Sequence, residues 1–444
     1  MTYYQLPRTN FLSHKYIDCI TDENGAPLPI VSNSLSGYLY EIKEELDKQE
    51  KDWDIFKKYT NPYEYIHTQL PNKKKCISKC KPLSRSYFKM IEMIHIFNLY
   101  FDDAPVSSFH LAEGPGGFIE AFLEIRQCPE DQYIGMTILD DRNDPNIPAW
   151  KKTENFLRHN KNVFIEKGAD QTGNILSLQN FMYCKKKYGS TMDFITADGG
   201  FDFSLDFNRQ EINIAKLLFA QISFALAMQK SGGTFILKIF DSFMQHTVDL
   251  LYILSSFYEK TFIIKPQTSR YANSEKYVVC KGFLEPLAIE TFDILYRAFE
   301  KMLATPDPIH RFISIPIPVN FITRLEEYNA IFGQQQIENI YFTISLMKQK
   351  NKQDRIDNLV KSNIQKCVAW CTKYNVPYSI SVINNNITND NNTNNYETKL
   401  APPPGLPIPP NLLNQPLSDF LVDASKSAVP NTSGTALLRN VLRL

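Results

Sequence analysis

From residue 107 onward, short apolar runs alternate with longer segments whose apolar positions recur at helical spacing. The runs 107–112, 132–139, 163–167, 192–198, 234–240, 262–266 and 276–281 read as strands buried on both faces. Helical spacing fits 118–126, 174–188, 209–230 and 246–258 between them. This alternation predicts an α/β fold with a doubly wound, mainly parallel sheet and helices on both faces. Only "QTSRYANSE" separates the last two runs, too short for a helical crossover, so that pair is predicted to be antiparallel.

Outside this block the periodicity is mostly helical. Residues 1 to about 100 predict helices around irregular stretches, including an apolar-periodic run at 84–101, and helices are expected again at 289–305, 322–350 and 354–375. The chain therefore divides into an N-terminal helical extension packing on the core (1–100), an α/β core (101–285), a C-terminal helical region (286–381) and an Asn/Pro-rich tail (382–444). In the tail, "NNNITNDNNTNN" and "APPPGLPIPP" lack the periodicity of a packed element and are expected to be disordered.

Composition narrows the function classes. The 444 residues carry 48 basic and 48 acidic side chains, so nucleic-acid binding requires a local patch rather than global attraction. The eight cysteines form no secreted-type framework, which implies reduced thiols and an intracellular compartment. Cys76/Cys80 and Cys367/Cys371 are each four apart, but no histidine cluster accompanies them at finger-like spacing, so zinc is not expected. The N-terminus lacks a signal-type apolar region. "AKLLFAQISFALAM" carries Lys216 and Gln221 and suits a core helix better than a membrane span, so no membrane partner is expected.

Several residues sit where chemistry is done. "GGTFILKIFD" places Lys238 inside an apolar strand, and a lysine is almost never fully buried without a partner. "TADGGF" puts Asp198 at the carboxyl end of a strand, where open α/β sheets bind ligands; alone it is equally a turn aspartate. "FHLAEGPGGFIEAF" is a strand, a glycine-rich turn and a helix start, without the spacing of a dinucleotide or P-loop motif. Glu275 precedes the last strand and alone reads as an ordinary loop acid. "KKKCISKCKPLSRSYFK" is either a solvated face or a phosphate-contacting patch with Tyr87 and Phe88 for stacking.

Taken together, "NPYEYI", "SRSYFKM", "EGPGGF", "GMTIL", "TADGGF", "GGTFILKIFD" and "KPQTSRYANSEKYVVCKG" resemble the FtsJ-like (RrmJ-type) 2'-O-methyltransferases, in the eukaryotic and large-DNA-virus branch that modifies capped mRNA. The resemblance covers roughly residues 50 to 380. It implies a Rossmann-like sheet of seven strands, the last pair antiparallel, with helical N- and C-terminal additions. It also implies S-adenosyl-L-methionine as methyl donor and no metal. The implied partners are capped mRNA and other capping or transcription machinery, in the nucleus or at a cytoplasmic viral replication site.

The family's Lys-Asp-Lys-Glu tetrad falls on Lys89, Asp198, Lys238 and Glu275. Its donor loop falls on Ala112, Glu113, Gly114, Pro115, Gly116, Gly117 and Phe118, with Ser84 beside the methyl-donor site and Asp170 and Gln171 near the adenine. Capped-RNA contacts would fall on Lys57, on Asn208, Arg209 and Gln210, and on Asn273. His110 and Glu113 depart from many members, and a histidine-and-glutamate version occurs in the cap-2 branch; Tyr271 replaces a proline usual in cap-1 enzymes. The implied activity is cap-specific mRNA 2'-O-methylation, cap-1 favoured over cap-2. Methylation of rRNA or tRNA, and a non-catalytic cap-binding subunit, are the alternatives.

Overall fold

The structure is a computed structural model that describes residues 3–9, 14–22, 25, 27–47, 50–101, 104–139, 149–200, 208–349 and 351–379. The Asn/Pro-rich tail, 382–444, lies outside the described residues.

The chain opens with β1 (Tyr3–Gln5), β2 (Ile17–Thr21), α1 (Asn33–Asp47), α2 (Glu50–Thr60) and α3 (Ser86–Phe97). The alternating part runs β3 (Ser107–Leu111), α4 (Gly117–Arg126), β4 (Gln132–Met136), α5 (Glu154–His159), β5 (Val163–Ile165), α6 (Leu178–Tyr188) and β6 (Met192–Ala197). It continues through α7 (Gln210–Met228), β7 (Gln229–Ile239), α8 (Gln245–Phe257), β8 (Tyr258–Ile264) and β9 (Lys276–Phe283). Then follow α9 (Ile289–Ala304), β10 (Ile309–Ile313), α10 (Val319–Lys348) and α11 (Gln353–Lys373).

The main sheet has the order β1-β8-β9-β7-β6-β3-β4-β5. Strands β3 to β7 pair in parallel, and β9 runs antiparallel between β7 and β8. From β3 the chain winds outward to β4 and β5, then returns to place β6 on the other side of β3. The order therefore reverses between β3 and β6, and the crevice at their carboxyl ends is the ligand position of open α/β sheets.

The strands fill two cores by the period-two alternation of their side chains. Ile195, Leu237 and Val278 pack with α7 and α8 on one face. Phe194, Ile236 and Val279 pack with α3, α4 and α11 on the other. Helix α7 is apolar on nearly every side because it lies inside the first core. It is long and apolar enough to cross a membrane, yet 83% of its apolar window is buried in the fold.

Three expectations are corrected. The sheet has eight strands rather than seven, because Tyr3–Gln5 adds an antiparallel edge against β8. The two flanking regions are not purely helical either, since β2 and β10 form a separate two-stranded sheet. The strand read at 132–139 ends at Met136, because residues beyond it join a loop in which Leu139 N–H donates to Thr172 O at 2.8 Å.

Candidate active site

Four polar side chains far apart in sequence meet at the carboxyl edge of the sheet. Lys238 lies one residue before the end of β7, and Asp198 immediately follows β6, its parallel neighbour. Lys238 Nζ donates to Asp198 O at 2.8 Å and lies 3.3 Å from Asp198 Oδ1. Lys89 reaches the same place from α3, and its Nζ lies 2.6 Å from Glu275 Oε1. Glu275 sits just before β9, and Ser269 Oγ donates to its Oε1 at 2.7 Å. Lys238 is thus tolerated in an apolar strand because the strand ends on oxygen acceptors.

Tyr277, which sequence reasoning missed, ties the two pairs together. Its hydroxyl donates to Asp198 Oδ1 at 2.9 Å and accepts from Lys89 Nζ at 3.4 Å. The signal was available: residues 275 and 277 fall on one side of an extended chain.

Burial sets the electrostatics. It pulls the Lys89 amine below the usual lysine range, although Glu275 and Asp198 oppose it; Arg85 and Lys238 add to the lowering. Burial pushes the Glu275 carboxyl up, but Lys89 and Lys238 outweigh it and hold the group well below the ordinary carboxylate range. The Tyr277 phenol is pushed far up, first by burial and then by Asp198 and Glu275. It therefore stays a hydrogen-bond donor at neutral pH.

The glycine turn lies against this cluster. Ala112, at φ +50°, leaves β3, and Gly116, at φ +104°, makes the left-handed step before α4. A Cβ on Gly117 would collide with the hydroxyls of Ser84 and Ser86, which also hydrogen-bond to each other. The ring of Phe118 is 5.9 Å from that of Tyr277. Glu113 Oε1 accepts from Phe118 N–H at 2.6 Å, while its buried Oε2 has no hydrogen-bond partner. Burial, with the Asp198 charge adding, pushes the Glu113 carboxyl well up. The Gly114–Pro115 peptide completes the turn in cis.

Other predicted contacts prove internally engaged. Asp170 accepts from Thr172 N–H, Thr172 Oγ1 and Asn180 Nδ2 at Oδ1 and from Ser177 Oγ at Oδ2, so its carboxylate organises its own loop. Gln171 Nε2 donates to Gly168 O at 2.8 Å. Lys57, on α2, pairs with Asp54. Asn208 and Arg209 form the turn that opens α7, and Gln210 Oε1 accepts from Ser274 Oγ at 2.9 Å. Asn273 holds Lys265, whose Nζ reaches its O at 2.6 Å, its Oδ1 at 2.9 Å and Glu275 O at 2.9 Å. Tyr87 and Phe88, stacking aromatics on one of the two readings of their segment, are buried in the core.

The loop 266–275, which carries Asn273 and leads to Glu275, is braced by two buried acids that sequence reasoning also missed. Glu92 on α3 accepts from the N–H groups of Gln267 and Thr268, each at 2.8 Å. Glu64 forms a bidentate pair with Arg270 at 2.7 and 3.0 Å.

Residues 82–283 match the FtsJ-like methyltransferase family. Cap-specific mRNA (nucleoside-2'-O-)-methyltransferase 2 of Mus musculus is 28% identical over 346 residues, which is 74% of this chain and 44% of that protein. Cap-specific mRNA (nucleoside-2'-O-)-methyltransferase 1 of Danio rerio is 35% identical over 225 residues, 45% of this chain and 26% of that protein. Human methyltransferase-like protein 13, solved with SAH, aligns at 14% identity and TM-score 0.30 over 51% of this chain and 94% of that one. The chain spans less than half the length of these curated relatives.

Proposed function

We propose, from the premise that residues 82–283 make this chain a member of the FtsJ-like methyltransferase family, that it transfers a methyl group from S-adenosyl-L-methionine to the ribose 2'-OH of a cap-proximal mRNA nucleotide. The observation that carries this reading is the convergence of Lys89, Asp198, Lys238 and Glu275 beside the glycine turn. The first cap-proximal nucleotide is favoured over the second, on the order and spacing of the 232–241 and 265–282 segments.

The donor fits the residues present. The turn from Ala112 to Phe118 and the Ser84 hydroxyl would hold it, and the unpartnered Glu113 Oε2 offers an acceptor to an amine or hydroxyl of the ligand. When bound, the donor supplies a methyl already made electrophilic by a positive sulfur. The chain's own residues then have two tasks, alignment and help for a poor nucleophile.

Lys238 is the less buried of the two amines, 12% exposed against 5% for Lys89; as the free amine it takes the hydroxyl proton, and as the ammonium it donates to the hydroxyl oxygen and orients it. Asp198 fixes that amine through its backbone and carboxylate oxygens. Lys89, ion-paired with Glu275 at 2.6 Å, keeps a cation next to the reacting oxygen. Asn273 and the Asn208–Gln210 turn flank the same edge and contact the capped RNA.

The test is incubation with labelled donor and RNAs that differ only in their 5' end. Label confined to capped RNA is expected, and mass-spectrometric mapping then identifies the modified nucleotide. Transfer to uncapped rRNA or tRNA fragments alone, or binding without transfer, overturns the reading.

A further inference from the structure

Residues 73–89 hold seven lysines and arginines and no acid. Lys89 belongs to the catalytic cluster, but the others are unexplained by it. Lys74, Lys75, Lys79 and Lys81 are exposed and Arg85 is half-buried. None of these five makes a side-chain hydrogen bond or ion pair among the described residues, although the charge of Arg85 reaches Glu275.

A run of charge is usually a solvated, loosely held face. Here the backbone beneath it is fastened. Ile77 N–H donates to Tyr65 O at 2.9 Å, Ser78 N–H to Ile66 O at 3.1 Å, and Lys79 N–H to Pro377 O at 2.8 Å. Cys80 N–H donates to Ser78 Oγ at 3.0 Å. The acids that face the segment from α4 are engaged by other donors: Glu120 accepts from Leu83 N–H at 2.7 Å and Glu124 from Tyr87 OH at 2.6 Å. The lysines are therefore left for an external anion, on a backbone whose ordering entropy is already spent.

The segment also has a direction. Ser84 lies on Gly117 of the donor turn, and the charge of Arg85 acts on Lys89, Glu275 and Tyr277. The 84–85 end of the segment thus lies at the reaction centre, and the lysines precede it in the chain. With Tyr87 and Phe88 buried, this surface has no aromatic platform of its own, so its contacts are to backbone phosphates rather than stacked bases.

We propose that Lys74, Lys75, Lys79 and Lys81, ending at Arg85, form the track for the RNA phosphate backbone on one side of the acceptor nucleotide. This rests on the RNA reading given above and extends it beyond the cap-proximal contacts. Because the chain has no net charge, the track supplies attraction that the molecule as a whole does not.

Fluorescence anisotropy with a labelled single-stranded RNA of roughly twenty nucleotides, titrated across salt concentrations, tests it. In K74Q/K75Q/K79Q/K81Q the slope of log Kd against log salt should fall by up to about 3, at roughly 0.7 per lost phosphate contact. A matched variant, K161Q/K186Q/K230Q/K260Q, removes the same charge from exposed sites at the amino-end edge of the sheet and should keep the wild-type slope. An unchanged slope in the first variant, or an equal fall in both, overturns the proposal. Methyl transfer by the wild type is read in parallel. Its absence counts against the methyltransferase reading alone, because the binding slopes decide the track without it.

Discussion

Lys238 and Tyr277 are register partners across the antiparallel β7–β9 pair, and both end on the same carboxylate: the amine lies 3.3 Å and the phenol oxygen 2.9 Å from Asp198 Oδ1. Asp198 therefore has its orientation set from two strands at once. Tyr277→Phe removes one of these anchors and the link to Lys89 while preserving ring packing. The expected outcome is a kcat lowered about tenfold, a KM for RNA within about twofold of wild type, and a displaced pH–rate profile. If the hydroxyl were merely structural, thermal stability would fall by about 1 kcal/mol with kcat and the pH profile unmoved.

Lys238→Ala separates chemistry from donor binding. The lysine bonds to Asp198, whereas the fit of the glycine turn depends on Gly117, Ser84 and Ser86. Transfer should fall by roughly a hundredfold or more, the usual worth of a positioned acid–base group. S-adenosylhomocysteine affinity, measured by calorimetry, should stay within about threefold, because the donor turn is untouched. Retention of full activity would remove Lys238 from its proposed role.

Gly117→Ala makes the opposite separation. The added methyl meets the Ser84 and Ser86 hydroxyls and Tyr87 N–H, the last at 3.1 Å, so the two hydroxyls must leave their positions at the turn. Thermal shift on adding S-adenosylhomocysteine should be lost, while Lys89–Glu275 and Lys238–Asp198 keep their partners. An undiminished shift would show that the donor is held elsewhere.

The parts of the fold legible in the chain were those written as local pattern. Apolar runs such as 192–198 and 234–240 announce buried parallel strands whatever their partners, and β6, β7, β8 and β9 all lie where such runs were read. Tyr3–Gln5, Ile17–Thr21 and Ile309–Ile313 were not legible, because each is short and exists through a partner hundreds of residues away or, for β1, at the sheet's far edge. The site divides in the same way. Lys238 stood out as a charge in an apolar strand, whereas Tyr277 looked like any strand aromatic and Glu64 like any solvated helix acid. Arg270, which gives Glu64 its meaning, is 206 residues away.

That Glu64–Arg270 pair yields the clearest dependence on pH. Glu64 is fully buried and accepts from Arg270 Nη2 and Nε, from Asn61 Nδ2 at 2.7 Å and from Thr68 Oγ1 at 3.0 Å. Burial pushes its carboxyl up, but the guanidinium and the further donors outweigh this and bring it from an ordinary 4.5 to about 2. A depressed carboxyl contributes stability that is fully present above its unfolded value and lost as pH falls through the folded one. The window is therefore pH 4.5 down to about 2, and the contribution at neutral pH is about 3 kcal/mol. Glu64→Gln should lose about that much stability at pH 7, because it also leaves Arg270 unpaired and partly buried. Urea midpoints for variant and wild type should then converge as the pH approaches 2. Since Arg270 lies in the loop that carries Asn273 and leads to Glu275, the same variant should raise the KM for capped RNA more than it alters donor binding. Parallel acid profiles for the two proteins would mean that the brace carries no such charge-dependent stability.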